Sequence, residues 1–305
     1  MPSADSAVVK SVALAGAGGH LGRQVLKALL KEQSFDVTVL ASRGRKPIDY
    51  PSGVRIALVD YESPESLRDA LRGVGAVVSA LGKKTGLECQ LKLIDAAVAA
   101  GVNRFIPSEF GADLQNPKIR AFPTYRTKVQ TEEYLEKLAK ENELTYTYIY
   151  NSLLLDDGLD LNVFADFAAR TVNIYDGGDT AFSATSISTV ARAVVAVLSN
   201  FEATRNRAIR IQDLSTTPRD LLQTLQRLDA GHDWTPVAVD TEVLVKKAED
   251  DLASGIFSPR AFAAFATRAT FAPGFASTYD ADMDRLGLTE MTRDEFEVLL
   301  KERLV

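Results

Sequence analysis

A doubly wound parallel α/β sheet, followed by a smaller α/β domain, is the fold class this sequence predicts, and three observations carry the prediction. Between residues 9 and 150, short β-branched runs alternate with amphipathic stretches of helical length, the pattern of successive βαβ units. A glycine-rich turn stands directly between the first of those runs and the first helix. After Asn151 the alternation breaks down into shorter strands and separate helices, so the second half is a different structure.

The parallel half reads as strands at 9–15, 36–40, 54–59, 76–80, 104–107 and 145–150, joined by right-handed crossovers. A first helix spans 21–32. The next opens on Ser63-Pro64-Glu65, where a hydroxyl can accept a backbone N–H, proline presets the first helical φ and a carboxylate meets the positive end of the helix. A third covers 90–100 and stops at Gly101, a left-handed terminator, and a fourth covers 125–141. In the second half, 171–175 and 180–185 read as a hairpin around Asp176-Gly177-Gly178-Asp179. A helix at 189–198 that Ser188 can cap follows, then a strand at 208–212 and helices after Thr217-Pro218 and Thr241. The capping box Thr292-Arg293-Asp294-Glu295 opens the last helix. The division this suggests is 1–155 for the sheet domain, to which later segments can add, and 156–305 for a mainly substrate-binding domain.

At 305 residues, 46% hydrophobic and 25% charged, the chain has apolar surface enough for one large core or two smaller ones. A formal charge of −6 opposes a nucleic-acid partner, because phosphate binding is driven by counterion release at clustered Lys and Arg. No apolar run approaches the roughly 20 residues of a bilayer span. Residues 1–10 lack the basic start and apolar core of an export signal, so neither membrane insertion nor secretion is expected. Cys89, the single cysteine, cannot form an internal disulfide and reads as a small buried apolar residue. With only His20 and His232 besides it, no zinc-type ligand set comes together; no metal is expected, and the setting is a reducing, cytoplasmic one.

The turn Gly16-Ala17-Gly18-Gly19-His20-Leu21-Gly22 carries the first chemistry. Glycines between strand and helix let backbone approach a pyrophosphate, aim helix N–H groups at its charge and let helix and strand pack closely at Gly22. Placed here, they mark a Rossmann dinucleotide-binding domain. An acidic residue at the end of the second strand would select the ribose hydroxyls of NAD. This chain has Arg43, Arg45 and Lys46 there, which favours the 2′-phosphate of NADP(H), with Arg43 nearest the strand end. Asp60 and Tyr61 after the third strand, and Ala80, Leu81 and Gly82 after the fourth, would pass beside the same cofactor.

A Tyr-x-x-x-Lys pair is absent; Tyr125-Arg126-Thr127-Lys128 is one residue too short. At 100° per residue, however, Lys128 falls on the stripe of Thr131, Leu135, Leu138 and Ala139, opposite Glu136, Lys137 and Lys140. Such a lysine either snorkels outward or reaches into a site as an acid/base.

The run Asn103-Arg104-Phe105-Ile106-Pro107-Ser108-Glu109-Phe110-Gly111-Ala112-Asp113 resembles the loop after the fifth strand of the isoflavone reductase-like proteins, within the NmrA-like group of atypical short-chain dehydrogenases. Gly75–Gly82, Gln90 with Leu93-Ile94-Asp95-Ala96-Ala97, and Asp60-Tyr61 agree with it in order and spacing, and the likeness is closest to the fungal-type branch. The resemblance implies NADPH, a lysine acid/base at Lys128, an aromatic at Tyr125, and a Ser108-Glu109-Phe110 loop shaping the nicotinamide end. It also implies a small-molecule substrate near Glu109, Phe110 and Tyr125; Asn151, Leu154 and Phe164, which follow the sixth strand, could line an apolar pocket for it, and a monomer or homodimer is expected. For the aromatics, core packing is the competing role. Two departures stand out: Gly18 stands where much of the family has a threonine, and Ser186-Ile187-Ser188 replaces a more acidic turn. The second lies in the substrate half, so the plant phenolic substrates do not carry over. Two other activities fit the resemblance: an NADP(H)-binding redox sensor without turnover, and a dehydratase or isomerase using the same lysine.

Overall fold

A computed structural model describes residues 9–44, 48–82, 88–256, 258–275 and 278–304. Arg45 and Lys46, both expected at the cofactor, lie outside the described residues. The chain divides into two compact units whose segments interleave. Residues 1–110, 127–149 and 190–209 make the first, and 111–126, 150–189 and 210–305 the second. Chain proximity and spatial proximity part company twice: 111–126 leaves the sheet unit early, and 190–209 returns to it late.

In the first unit, β1 (Ser11–Ala15), β2 (Asp36–Ser42), β3 (Arg55–Val59), β4 (Ala76–Ser79), β5 (Arg104–Ile106) and β6 (Thr145–Tyr150) form one sheet. The strand at 208–212, expected in the second half, is instead Arg207–Arg210, here β7, and closes the far edge of this sheet. The order β7-β6-β5-β4-β1-β2-β3 is that of a doubly wound, Rossmann-type sheet. β1 pairs in parallel with both β2 and β4. The chain therefore winds outward from β1 to β3, returns to β4 and winds the other way, which opens a crevice at the carboxyl ends of β1 and β4.

Helices α1 (His20–Glu32), α2 (Pro64–Ala70), α3 (Cys89–Ala99) and α4 (Arg126–Lys140) connect the strands. Val12, Ala13, Leu14, Val39, Val77, Val78, Phe105 and Ile106 are buried, the near-continuous apolar character of strands covered on both faces. Ser63 caps α2 through the Ser66 N–H, as the sequence indicates. Cys89 is only half-buried, because it opens α3 rather than lying inside it.

One residue of the sheet breaks the apolar rule. Arg104 is fully buried, with its guanidinium donating to Thr145 Oγ1 (2.7 Å), Thr147 Oγ1 (2.8 Å), Thr204 Oγ1 (3.2 Å) and the Phe201 carbonyl (2.8 Å). Its plane lies 4.1 Å from the Phe201 ring centroid. Burial lowers its pKa to about 10. Arg104 thus ties β5, β6 and the segment ahead of β7 together, a structural use that a charged residue at a strand start does not announce.

The second unit holds two small sheets around an aromatic core. Phe182 packs on Phe164 (centroids 5.4 Å) and Phe271 (4.7 Å), and Phe271 stacks on Tyr175 (4.0 Å). The expected hairpin does not form. Strand Thr171–Tyr175 pairs in parallel with Thr235–Val239, and strand Phe182–Thr185 joins a different sheet beside Leu214–Thr216. Asp176, Gly177 and Gly178 all take positive φ, which carries the chain away from its own strand. The Asp176 carboxylate accepts instead from the backbone N–H of Thr241 at 2.8 Å. The capping box at Thr292 and Glu295 is present. Among the described residues no helix is long and apolar enough to cross a membrane.

Candidate active site

The glycine turn sits at the switch point. Gly16 has φ +81°, and a Cβ there would lie 2.3 Å from the Ala80 carbonyl oxygen at the end of β4. A Cβ on Gly22 would lie 2.1 Å from the Gly16 carbonyl oxygen. Both glycines are therefore required by packing alone. Gly19 is not: its φ of −78° suits any residue, and an added Cβ would meet only the Gly16 oxygen, at 3.4 Å. Gly19 is the N-cap of α1, with no side-chain cap and no acidic residue in the first turn, and Gly19 and His20 are exposed. The helix thus presents uncapped N–H groups, the arrangement that receives an anion. Gly18 lies under Ile48, and Leu21 is half-buried behind the turn. Arg23, which the sequence did not single out, donates from Nε to the Gly18 carbonyl (3.1 Å) and adds positive charge beside the turn.

Around it, the expected cofactor residues divide. Arg43 is exposed just beyond β2, its Nε donating to the Leu58 carbonyl (3.2 Å). Asp60 is exposed but caps the Glu62 N–H at 2.9 Å. Tyr61 departs from its expected place flanking an adenine: it is buried, with its hydroxyl donating to the Leu40 carbonyl (3.1 Å), so its ring supports the end of β2. At the end of β4, Ala80 donates its N–H to Ala15 (2.9 Å), Leu81 is buried and Gly82 is exposed. The Leu81 carbonyl accepts from Ser108 Oγ (2.9 Å), and the Ser108 N–H donates to Gln90 Oε1 (2.7 Å). Gln90 is fully buried, and its Nε2 has no partner among the described residues. The signal for it was available: Gln90 shares the apolar face of Leu93, Ile94 and Ala97, where an amide has no reason to be without a polar task.

The lysine faces inward as its helix phase indicates, with 14% of its side chain exposed. Lys128 Nζ donates to the Glu109 carbonyl and stands 3.7 Å from Glu109 Oε2. Glu109, expected at the substrate, is fully buried, with its carboxylate beside the lysine. Phe110 beside it is half-buried. One turn along α4, Glu132 is also fully buried, and its backbone carbonyl accepts from the Tyr148 hydroxyl (3.0 Å). Burial first, then the Glu132 charge, pushes the Tyr148 hydroxyl pKa far upward, so it remains a neutral phenol. The helix thus turns Glu132 inward as well as the lysine that its phase already placed there.

In the second unit, two expected substrate contacts are core residues. Phe164 is buried over Gly158, where a Cβ would lie 2.3 Å from its ring, and stacks on Phe182. Tyr125 is buried with its ring edge-on to Phe262 (5.8 Å) and beside Phe122 (6.5 Å), a cluster that fills volume. Leu154 remains half-buried in a short strand. Asn151 is fully buried, and its carbonyl accepts from Thr185 Oγ1 (2.7 Å). Its Oδ1 has no partner among the described residues. Among the described residues no cluster of three His, Cys, Asp or Glu is arranged to hold a metal ion.

A profile of the NmrA-like family matches residues 9–257. The chain belongs to the NmrA-like family. Its NmrA-like relatives include a protein of Aspergillus flavus named oxidoreductase aprR, 34% identical over 249 residues that cover 80% of this chain and 82% of that one. Oxidoreductase poxI of Penicillium oxalicum is 29% identical over 250 residues, covering 79% of this chain and 77% of that one. Among solved structures, isoflavone reductase shares the fold with a TM-score of 0.74 at 20% identity, over 96% of this NmrA-like chain and 99% of that one. AtPrR2, solved with NADP+ and (+)pinoresinol, does so with a TM-score of 0.75 at 20% identity, over 97% and 99%.

Proposed function

We propose that this chain is an NADPH-dependent oxidoreductase that reduces a small aromatic, phenolic or polyketide-like compound, with Lys128 as its general acid/base. The observation that carries the reading is Lys128 itself: a cation with 14% of its side chain exposed, anchored to the loop whose Ser108 also binds the end of β4. The residues fit a dinucleotide. Gly19 is small without a packing reason, at an uncapped helix start, as a pyrophosphate would require. Gly16, Gly18, Gly19 and the first N–H groups of α1 would hold the phosphates, Arg43 the 2′-phosphate, and Leu81, Gly82 and Ser108 the nicotinamide side. Bound NADPH would supply the hydride. Lys128 would give a proton to the substrate oxygen or take one from it, and its half-withdrawn position would limit water around that transfer.

The support from relatives is that two fungal proteins similar to this chain are named oxidoreductases and that a protein of this fold was solved with NADP+. NADPH oxidation against a panel of quinones, enones and phenolic ethers tests the reading. For any substrate consumed, Lys128→Ala should lower turnover by roughly 10²–10⁴ with NADPH affinity little changed. Lys128→Arg should not restore it, because a guanidinium stays protonated. Wild-type turnover in Lys128→Ala would refute the role. Tight NADPH binding with no turnover anywhere in the panel would make the chain a sensor instead.

A further inference from the structure

We propose that Glu109 is a positioning residue for Lys128, whose buried carboxylate and backbone carbonyl together hold the ammonium group in one place. Only the kinetic arm of this inference rests on the acid/base reading of Lys128.

Glu109 approaches the lysine at two points: its carbonyl accepts from Nζ, and Oε2 lies 3.7 Å from the same nitrogen. The carboxylate is fully buried while the lysine keeps 14% exposure. A buried carboxylate is costly unless a positive charge stands near it, and the ammonium 3.7 Å away supplies one. Stability alone is a weak reason for the pair, because an apolar pair of similar volume often serves a core as well. A purely structural pair would also have no need of a lysine that remains reachable.

The loop carrying Glu109 is clamped on both sides. Its N–H donates to the Pro107 carbonyl (2.8 Å), while the preceding Ser108 is bound to Gln90 Oε1 (2.7 Å) and to the Leu81 carbonyl (2.9 Å). Glu109 therefore transmits the position of the β4 and β5 ends to Nζ. Among the described residues, the titratable groups around this place include Glu132, one helical turn on, Tyr148 on β6, and Glu136 and Tyr146 beyond them. Tyr148 stays a neutral phenol, because burial and then the Glu132 charge disfavour its anion, and Glu109 contributes in the same direction.

Trace acetylation with acetic anhydride, at one fixed pH and read by peptide mass spectrometry, tests the pairing without any substrate. Lys137, whose side chain is 67% exposed, serves as the internal reference. Without the carboxylate the amine is no longer held in one place, so in Glu109→Gln the relative rate at Lys128 should rise by about tenfold or more. Glu109→Asp keeps the charge and should stay near the wild-type rate. An unchanged rate in a folded glutamine variant overturns the proposal. So does an aspartate variant as fast as the glutamine one, since loop opening would then be the cause. If Glu109→Gln alone does not fold, adding Lys128→Met should restore folding, because the partners are then lost together; failure to do so also overturns it. Once a substrate is known, Glu109→Gln should lower kcat with KM for NADPH unchanged. Faster labelling with wild-type kcat would leave the pairing standing and overturn the catalytic role of Lys128.

Discussion

Gly22→Ala and Gly19→Ala should part company, although both lie in one turn. At Gly22 the new Cβ would fall 2.1 Å from the Gly16 oxygen, 2.8 Å from its carbon and 3.0 Å from the Ala17 Cα. Ordinary carbon contacts sit near 3.5–4.0 Å, and all three obstacles are backbone, so α1 and the turn must separate by about 1 Å or more. Overpacking costs typically about 1–3 kcal/mol, here toward the upper end because no side chain can yield. The helix-propensity gain of Ala over Gly, about 0.5–1 kcal/mol, is too small to offset it. The net of about 2 kcal/mol corresponds to a fall in Tm of roughly 4–8 °C. Gly19→Ala meets one atom at 3.4 Å in an unstrained conformation and should cost about 1 kcal/mol at most, through the weaker N-cap. Its effect should appear in NADPH affinity, reduced tenfold or more if the phosphates come against that position. Thermal unfolding by circular dichroism and NADPH titration of both variants measure the contrast. Gly22→Ala as stable as wild type would refute the packing argument, and undiminished NADPH binding by Gly19→Ala would refute the phosphate site.

Arg43→Ala should weaken NADPH by roughly tenfold or more and leave NADH unchanged, since a charge-assisted contact to the 2′-phosphate is worth about 1.5–3 kcal/mol; equal wild-type affinities for the two nucleotides in calorimetric titration would contradict it. Arg104→Lys cannot reach four acceptors from one nitrogen and should lose about 2–4 kcal/mol in denaturant unfolding, whereas a neutral outcome would mean that water replaces the guanidinium. Hydrogen bonds from His232, then from Arg170, hold the Asp229 carboxyl at about 2. A depressed carboxyl stabilises the fold above its unfolded pKa of about 3.9 and loses that contribution as pH falls toward 2. Melting curves over that window should therefore drop less steeply for Asp229→Asn than for wild type, and parallel curves would refute the linkage.

What could be read ahead of the structure was whatever is local. The turn at Gly16–Gly22 is legible because it joins strand to helix within a few residues, and the Ser63 and Thr292 caps because they act within one helical turn. Lys128 was legible by helix phase. The hairpin failed because the strand beside Thr171–Tyr175 is Thr235–Val239, some sixty residues on, and turn chemistry carries no information about so distant a partner. The burial of Glu109, Glu132 and Arg104 was missed for one physical reason: a charged residue reads as solvated, and only the fold shows what surrounds it. Tyr61 and Phe164 show the converse, since aromatics at a sheet edge or after a strand serve packing as readily as ligands.

The interleaving of the two units bears on how the chain is made. The path passes from one unit to the other five times, after residues 110, 126, 149, 189 and 209. During synthesis the parallel sheet therefore lacks its last strand, Arg207–Arg210, until more than two-thirds of the chain has been made. The buried guanidinium of Arg104 waits equally long for Thr204 and the Phe201 carbonyl. Nascent chains shorter than this would expose the β6 edge and an unsatisfied interior charge, a state prone to strand-edge association. A truncation after residue 155 should accordingly be aggregation-prone rather than a working dinucleotide-binding module, while one extended through residue 210 would regain the missing edge.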